Sequence, residues 1–250
     1  MGVLLMNNET AQGNVVEISV VLPAYNEANS LDIAVPKIMK TLEEITPSHE
    51  IIVAEDGSTD GTDKVAALLS ERYKGVKYLH RKERLGRGTA LNNAFKKASG
   101  RIIVYMDVDL ATNVEQLKSL VGAVNEEGYI FATGSRMLPD SKVKRSLTRK
   151  IVSKVYNLLV RSMLGSKVKD HQCGFKAFRR EPLMQLLDEV VASHWFWDTE
   201  ILVRASRKGY RIKEIPVEWT SGQETKVNLI KDSFSMLWQT TKLWWQLKRG

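Results

Sequence analysis

The sequence has one cysteine and no long apolar run. Cys173, alone among 250 residues, cannot form a disulfide within the chain, so the sequence does not indicate an oxidising compartment. The N-terminal segment lacks a basic region before its short apolar run, which excludes an ordinary signal peptide. Nowhere do the roughly 18 apolar residues of a transmembrane helix occur together. We therefore expect a cytoplasmic protein that is not integral to a membrane.

Acidic residues are missing from one stretch of the chain. Between Lys142 and Lys169 there are nine Lys or Arg and no Asp or Glu, against a net charge of +8 for the whole protein. Basic clustering of this kind suits nucleic acid, anionic lipid or a phosphorylated substrate. A solvated helix face is the alternative that needs no ligand.

Short β-rich runs alternate with helical patterns over the first 135 residues. The β-rich runs cover residues 16–22, 50–56, 75–80, 101–107 and 129–135. The helical patterns cover residues 31–45, interrupted early by Pro36, and residues 60–73, 89–98 and 114–125. This alternation predicts right-handed βαβ units, and therefore an α/β fold with a mostly parallel, Rossmann-like sheet flanked by helices.

The first four strand runs continue into polar loops, which read PAYNEANS, EDGSTDGT, HRKERLGRG and DVDLATN. In open α/β sheets, ligands bind at this edge. No GxGxxG follows the first run and no GxxxxGK[ST] occurs, so neither a dinucleotide fingerprint nor a P-loop is present. Gly86 and Gly88 precede a helix and could receive a phosphate with help from Arg84 and Arg87, although turn chemistry explains the two glycines equally well.

Asp107 and Asp109 follow the fourth strand run. Residues i and i+2 of an extended segment point the same way, so both carboxylates can face one hard cation such as Mg²⁺ or Mn²⁺. That cation would also bridge the phosphates of a nucleotide. A loop or helix cap is the alternative for a lone Asp-x-Asp, and the position beside three other polar strand ends favours the metal.

These motifs, in this order, resemble family 2 glycosyltransferases, which have the GT-A fold. The similarity covers about residues 16–222 and includes GSR at 134–136, DHQCGFKAF at 170–178 and WDTEIL at 197–202. Within the family, the chain is most similar to the polyprenyl-phosphate sugar transferases, especially the dolichyl-phosphate glucosyltransferase branch. The resemblance implies a metal-dependent enzyme that inverts C1 of the sugar in a single in-line displacement.

For the donor half, the resemblance implies a UDP-sugar or GDP-sugar, with UDP-glucose first, UDP-N-acetylglucosamine second and GDP-mannose third. Asp56 would bond the base, Arg84 and Arg87 would lie near the diphosphate, and Asp107 and Asp109 would hold Mg²⁺ or Mn²⁺. The residues implied to line the nucleotide pocket are Pro23, Ala24, Tyr25 and Glu27. Two positions depart from the usual pattern. Glu55 replaces the first of two aspartates, and Ala111 stands where some relatives have a Gln ligand, so water or phosphate would complete the metal shell.

For the acceptor half, the resemblance implies dolichyl or another polyprenyl phosphate. The Q-x-x-R-W motif of processive polysaccharide synthases is absent. The residues implied to bind the acceptor phosphate are Arg136, Arg149, Ser153 and Asn157, and the last three share one helix face through their i, i+4, i+8 spacing. The basic run would then face anionic lipid at a membrane surface.

The acceptor determines whether a general base is needed. The second phosphate pKa is about 6, so near pH 7 much of the phosphate is dianionic and can attack C1 unaided. Asp198 and Glu200 occupy the place where relatives acting on sugar hydroxyls have a catalytic carboxylate. They either orient the donor sugar and nearby basic residues or act as a base, and the first role is favoured.

We expect a flexible N-terminus at residues 1–15 and a single GT-A domain at 16–225, with a nucleotide-sugar half at 16–138 and an acceptor half at 139–225. Residues 226–250 predict an amphipathic helix. Its apolar positions near helical period are Ile230, Phe234, Leu237, Trp238, Trp244 and Trp245. Trp with Lys and Arg suits a membrane interface, with docking on the protein's own core or on a second subunit as the alternative. We therefore expect a peripheral protein on the cytoplasmic face of the membrane.

Two other functions fit parts of the sequence. One is a soluble family 2 transferase that acts on a saccharide or protein hydroxyl. The other is a basic module that binds a membrane surface or nucleic acid, although a nucleic-acid binder would not place carboxylates at its binding edge. His171, Cys173 and His194 are too scattered for a zinc site, and we expect them to be structural.

Overall fold

The computed structural model describes residues 16–220 and 229–249, and a seven-stranded sheet forms its centre. The strands of this sheet are β1 Ile18–Ala24, β2 His49–Glu55, β3 Val76–Leu79, β4 Ile102–Met106, β5 Phe131–Ser135, β7 Phe175–Arg179 and β8 Ile212–Pro216. They lie in the order β3-β2-β1-β4-β7-β5-β8. All neighbours are parallel except β7, which is antiparallel to β4 and β5. The predicted mostly parallel α/β fold is confirmed.

Helices cover both faces of this sheet. They are α1 Ala28–Glu43, α2 Thr62–Arg72, α3 Arg87–Lys97, α4 Leu117–Asn125, α5 Leu147–Leu164, α6 Arg180–Leu187, α7 Trp197–Arg207 and α8 Leu229–Arg249. The predicted interruption at Pro36 is wrong, because α1 runs through this residue. Proline removes one hydrogen bond of the helix, but Val35 and Ile38 beside it are fully buried, and their packing holds the helix together.

The core has two layers because the side chains of each strand alternate between the two sheet faces. Val20 and Leu22 of β1 pack with α1, α2 and α4, whereas Val21 points to the other face. That second layer lies under α3 and the helices from α5 to α8. A sheet buried on both faces requires nearly continuous apolar strands, which explains why these runs were easy to recognise.

A second, two-stranded sheet forms within the second half of the chain. It pairs β6 Lys142–Lys144 in parallel with β9 Glu218–Thr220. The loop after β4 is attached to it, since the Thr220 N–H donates to the Ala111 carbonyl at 2.8 Å and the Asn113 N–H donates to the Glu218 carbonyl at 3.0 Å. The loop containing Asp107 and Asp109 is therefore tied to β9, far along the chain.

Helix α5 has clear boundaries and a buried inner face. The Ser146 hydroxyl accepts the Arg149 N–H at its start, and Gly165 ends it with a φ of 69°. The buried residues of its inner face are Ser153, Asn157, Val160 and Leu164.

Helix α8 packs along α5. Its buried residues are Met236, Thr240 and Leu243. Trp244 is partly buried against the same layer, while Trp238 is 70% exposed. The predicted positions Ile230 and Phe234 lie outside the residues whose side chains are described. No helix within the described ranges is long and apolar enough to cross a bilayer.

Candidate active site

The carboxyl ends of β1, β2 and β4 meet at one edge of the sheet, where Ala24 pairs in register with Glu55. Two residues beside this edge have left-handed backbone without being glycine, Asn26 with a φ of 54° and Leu110 with a φ of 50°. Such conformations are costly and concentrate at functional sites. Asp109 stabilises the left-handed conformation of Leu110, because its carboxylate accepts the N–H of the next residue, Ala111, at 3.0 Å.

Arg87 links the first carboxylate of the Asp-x-Asp pair to α7. Its guanidinium donates to Asp107 and to the Tyr105 hydroxyl, and its Nη1 donates to Asp198 at 2.8 Å. Burial alone would lower the pKa of Arg87, but Asp107 and its other partners raise it well above the usual value. A fixed positive charge therefore lies at the edge where the sequence predicts the diphosphate.

Asp198 is buried and its oxygens already have partners. Its Oδ1 lies 2.7 Å from the Nζ of Lys176, a side chain with no solvent exposure, and the Tyr105 hydroxyl donates to it at 3.0 Å. A general base must reach a proton on the substrate. A carboxylate that is 2% exposed and bonded to two cations and a phenol is better placed to orient Arg87 and Lys176.

Glu200 fixes the loop that precedes α7. One carboxylate oxygen accepts the N–H groups of Val191 and Ala192 at 3.2 and 2.9 Å, and the other accepts from Arg204 at 2.8 Å. In the same loop, the Ser193 carbonyl accepts the Gly88 N–H at 2.8 Å. Glu200 thus acts on the start of α3 through the loop, and its predicted part in catalysis stays a prediction.

In the predicted nucleotide-sugar half, Asp56 accepts the N–H groups of Leu85 and Gly86 at 2.9 and 2.8 Å. It therefore holds the loop before α3 in place, and its predicted bond to the base stays a prediction. Arg84 lies over the ring of Tyr25, with 3.6 Å between the guanidinium carbon and the ring centroid. The predicted pocket residues Pro23, Ala24 and Glu27 stand at the end of β1 and in the loop after it.

Glu55 has a structural role that the usual pattern of two aspartates does not suggest. Its carboxylate accepts the Ser58 N–H, and it lies 2.7 Å from the Nδ1 of His80. Glu55 is 2% exposed. It fixes the loop after β2, and each of its two carboxylate oxygens has a partner.

Gly174 supports Asp107 and was not predicted. The Asp107 N–H donates to the Gly174 carbonyl at 3.0 Å, and a Cβ on Gly174 would lie 1.9 Å from the Asp107 Oδ2. Only glycine leaves room for this carboxylate. Lys176 and Tyr105 were also missed. Tyr105 is the one polar side chain in the otherwise apolar β4, a signal that could have identified it, whereas β7 also contains Arg179 and gives no such signal for Lys176.

Replacing Gly174 by Ala should lower kcat/KM for sugar transfer by about 10²-fold, since a shift of roughly 1 Å in a reacting group can cost that much. Thermal unfolding should show that the protein still folds. Gly122→Ala in α4 is the control, because the nearest side-chain atom to its added Cβ is 3.9 Å away, and activity should stay at the wild-type level. Wild-type kcat/KM in Gly174→Ala would contradict the role given to this close approach.

Asp107 and Asp109 suit a divalent cation. The pKa of Asp109 is raised, because its carboxyl is partly withdrawn from water and faces the charge of Asp107. A hard cation with oxygen ligands would remove this repulsion. Within the described part of the chain, no cluster of three His, Cys, Asp or Glu side chains could hold a metal. Water and phosphate oxygens would therefore supply the other ligands.

In the predicted acceptor half, Arg136 forms a forked ion pair with buried Asp170. Its Nε and Nη2 donate to the two carboxylate oxygens at 2.8 and 2.9 Å, and its backbone N–H donates to Oδ2 at 2.9 Å. Burial alone would raise the pKa of Asp170, but Arg136 holds it well below the usual value. The guanidinium of Arg136 also lies 5.5 Å from the ring centroid of Trp219.

The structure places Ser153 and Asn157 on the inner face of α5 and Arg149 in its first turn. Asn157 is turned inwards, where its Oδ1 accepts the His171 N–H at 2.9 Å and its Nδ2 donates to the Ser153 carbonyl at 2.9 Å. Burial lowers the pKa of His171 to about 4, so this imidazole is neutral near pH 7. Asn157 thus positions the loop containing His171, and its predicted contact with phosphate stays a prediction.

Comparison with known proteins identifies the family. Residues 19–187 match the family described as Glycosyl transferase family 2. The chain belongs to this family. Its sequence is 48% identical over 240 residues to the glycosyltransferase AglD of Haloferax volcanii, covering 95% of this chain and 38% of that protein. It is 31% identical to a dolichyl-phosphate beta-glucosyltransferase of Trichomonas vaginalis, covering 86% of this chain and 69% of that protein.

Solved structures confirm the GT-A fold of this family 2 glycosyltransferase. Glucosyl-3-phosphoglycerate synthase of Mycobacterium tuberculosis, in complex with UDP, superposes with a TM-score of 0.66 at 22% identity, covering 91% of this chain and 79% of that one. A mannosyltransferase of Pyrobaculum calidifontis, in complex with GDP-Man and Mn²⁺, superposes with a TM-score of 0.58 at 23% identity, covering 84% and 58%. The predicted family and the similarity to dolichyl-phosphate glucosyltransferases are confirmed.

Proposed function

We propose that this chain transfers a hexose, most simply glucose from UDP-glucose, to the phosphate of dolichol or another polyprenol at a membrane surface, with inversion at C1. The relatives named as dolichyl-phosphate beta-glucosyltransferases support this acceptor and sugar, including the yeast protein at 27% identity. One structural observation carries the lipid part of the proposal. An exposed apolar face lies on the helix whose inner side reaches the predicted phosphate site.

This exposed stripe of α5 consists of Leu147, Ile151, Val155 and Leu158, which are 75, 62, 53 and 63% exposed. Their i, i+4, i+8, i+11 spacing places them on one face. Lys154 and Arg161 are exposed on the same helix, and α5 contains no acidic residue. An apolar helix face bordered by basic residues is typical of a helix that lies in the membrane interface.

Helix α8 extends this surface. Trp238 and Trp245 are 70 and 51% exposed on the helix that packs along α5. Of the three tryptophans predicted as membrane anchors, we retain these two, because Trp244 is partly buried against the protein. The two alternatives for the C-terminal helix are compatible, because its inner face packs on the protein and its exposed outer face is the one that we propose to meet lipid.

The chemistry requires few groups. An oxygen of the dianionic acceptor phosphate forms a bond to C1 of the sugar, and the bond from C1 to the nucleotide diphosphate breaks. Arg87, fixed by Asp107 and Asp198, stands where it can offset charge on the leaving diphosphate. Asp107 and Asp109 would hold Mg²⁺ or Mn²⁺, which supplies further charge neutralisation when bound. No general base is needed, in agreement with the occupied oxygens of Asp198.

A donor panel tests the proposal. We rank UDP-glucose first, UDP-N-acetylglucosamine second and GDP-mannose third, and farnesyl phosphate is a suitable short acceptor. A soluble transferase for saccharide or protein hydroxyls remains the alternative within the family. Free saccharides, assayed as parallel acceptors, distinguish this alternative from transfer to a lipid phosphate.

Arg149→Ala should raise KM for farnesyl phosphate roughly 10- to 100-fold, because a charged hydrogen bond contributes about 1.5–3 kcal/mol. UDP affinity, measured by calorimetry, should change little. Arg136→Ala should affect the same KM, but it also leaves buried Asp170 unpaired and destabilises the fold. If both variants lost UDP affinity and retained acceptor affinity, the basic helix would belong to the donor site.

Replacing Ile151 and Val155 together by Asn should weaken co-sedimentation with anionic liposomes by about tenfold or more, since each side chain removes apolar groups worth about 0.8 kcal/mol per buried CH₂. Trp238→Ser should act in the same direction. Because these positions are exposed, the substitutions should leave the free energy of unfolding nearly unchanged. The control is Ile33→Asn with Leu68→Asn, two side chains that are 57 and 64% exposed on α1 and α2 over the other sheet face. Equal losses in both pairs would mean that no particular face binds lipid.

A further inference from the structure

Lys176 is a lysine of β7 whose side chain has no solvent exposure. Burying a lysine is costly, because the ammonium leaves water, and such side chains are almost never fully buried without partners. Phe175 and Phe178 of the same strand are fully buried apolar side chains. An apolar residue would fill the position of Lys176 at a lower cost, so we expect the ammonium to have a role other than packing.

The ammonium of Lys176 has three acceptors. Its Nζ lies 2.7 Å from Oδ1 of Asp198, and it donates to the carbonyl of His171 at 3.3 Å and to the carbonyl of Cys173. An ammonium has three N–H donors, so these partners satisfy it completely. Lys176 thus connects Asp198, at the start of α7, to the loop of residues 170–174 that precedes β7.

This loop ends beside the first of the two predicted metal carboxylates. The Gly174 carbonyl accepts the Asp107 N–H at 3.0 Å, and the missing Cβ of Gly174 leaves room for the Asp107 carboxylate. The Cys173 carbonyl that Lys176 holds belongs to the peptide bond between Cys173 and Gly174. The ammonium therefore fixes the position of Gly174, and through it the backbone of Asp107.

Asp198 provides a second connection to the same carboxylate. Its Oδ2 accepts from Nη1 of Arg87 at 2.8 Å, and Nη2 of Arg87 donates to Oδ1 of Asp107. The two connections close a ring of contacts. Its members are Lys176, Asp198, Arg87, Asp107 and Gly174. The Asp107 side chain, 41% exposed, forms the open side of this ring, and Lys176 forms the buried side.

We propose that Lys176 is a positioning residue for sugar transfer, which holds Asp107 and Arg87 from the buried side of this ring. It acts through other residues, since its own side chain has no exposed surface. Groups that bind a cation and a diphosphate must be held to within about 0.5 Å, and buried supports of this kind supply that precision. The role rests on the proposed cation site at Asp107 and Asp109 and does not depend on which acceptor the enzyme uses.

Lys176→Met tests this role, because methionine is flexible and apolar and can fill the space of the lysine stem. Mn²⁺ affinity in the presence of UDP, measured by calorimetry, should weaken by about tenfold or more. At saturating Mn²⁺, kcat should fall by about 10²-fold. KM for farnesyl phosphate should stay within about threefold, since Arg136 remains paired with Asp170. Removing a positive charge would by electrostatics alone favour a bound cation, so a weaker Mn²⁺ affinity reports position rather than charge.

Glu50→Ala controls for the loss of stability that Lys176→Met should also cause. Glu50 is 2% exposed, and its carboxylate accepts from Nζ of Lys77 and Oγ of Ser19 at 2.6 Å each. It lies at the amino end of β2, whereas the ring lies at the carboxyl end of the parallel strand β4. Glu50→Ala should therefore lower the Tm and leave Mn²⁺ affinity and kcat at the wild-type level.

Lys176→Arg is the conservative variant. It keeps the charge, so its Tm should be closer to that of the wild type, but a planar guanidinium does not reproduce the three donors of an ammonium. Its Mn²⁺ affinity and kcat should lie between those of Lys176→Met and the wild type, and it decides the test if Lys176→Met does not fold. Wild-type Mn²⁺ affinity and kcat in the variant that decides the test, or equal losses in Glu50→Ala, would overturn the role.

The Mn²⁺ measurements also separate this role from the proposed acceptor. If the wild type bound Mn²⁺ but transferred no sugar to farnesyl phosphate, the proposed lipid-phosphate acceptor would fail. The Mn²⁺ affinities of the Lys176 variants would still decide whether Lys176 positions Asp107.

Discussion

Asp107→Asn and Asp109→Asn should each lower sugar transfer by at least about 10³-fold, because a bound cation supplies several kcal/mol of charge stabilisation to the leaving diphosphate. The fold should survive, since both residues lie at the end of β4 and the Asp107 side chain is 41% exposed. Calorimetry with Mn²⁺ in the presence of UDP measures the loss directly. The change removes one negative charge and almost no volume, so packing cannot explain the result.

Glu115→Gln is the matched control for this pair. Glu115 is an exposed carboxylate in the turn that follows the same loop, and its N–H is bonded to Asn113. Transfer and Mn²⁺ binding should stay at the wild-type level in this variant. Full activity of the wild type in excess EDTA, or Mn²⁺ binding retained in Asp107→Asn, would remove the cation from the mechanism.

Asp198→Asn should destabilise the protein by about 3–5 kcal/mol, the cost of leaving buried charges without their partner. Asp198 is 2% exposed and pairs with Lys176 at 2.7 Å and Arg87 at 2.8 Å. Urea denaturation measures this loss. Activity should fall as well, because Arg87 loses one of the two carboxylates that orient it.

Asp188→Asn provides the comparison for Asp198. Asp188 pairs with Lys96 at 3.0 Å, but its side chain is 82% exposed, so its loss should change stability by no more than about 1 kcal/mol. If Asp198→Asn were as stable as Asp188→Asn and lost only kcat, Asp198 would act on the substrate directly. The mechanism would then include Asp198 as a general base.

The sequence predicted the sheet well because the strands are buried on both faces and their apolar runs end in polar loops. Strand β7 escaped this reasoning, since FKAFR contains a lysine and an arginine within five residues. Lys176 can be buried in this strand because it pairs with Asp198, a partner 22 positions away in the chain that periodicity cannot reveal. The antiparallel insertion of β7 between β4 and β5 likewise pairs segments that are remote in sequence.

The candidate active site also contains residues that local sequence identified and residues that only the fold reveals. Asp107, Asp109 and Arg87 were identified from their position at strand ends, and the structure brings Asp107 and Arg87 into contact. Gly174, Tyr105 and Asp170 were not identified, because their roles are to make room, to donate to a carboxylate or to hold an arginine. Such roles depend on distances between segments remote in sequence, as in the pairing of Arg136 with Asp170. Asn157 illustrates the opposite case, where correct helix spacing did not reveal that the amide bonds His171.

The most direct test of the proposed function is transfer from labelled UDP-glucose, UDP-N-acetylglucosamine and GDP-mannose to farnesyl phosphate, with free saccharides as parallel acceptors and Mn²⁺ or Mg²⁺ present. We expect a farnesyl phosphate sugar as the main product, with UDP-glucose as the best donor. The anomeric configuration of this product should be opposite to that of the donor. Transfer to saccharide hydroxyls with none to farnesyl phosphate would contradict the lipid-phosphate acceptor, and a product with retained configuration would contradict the single displacement.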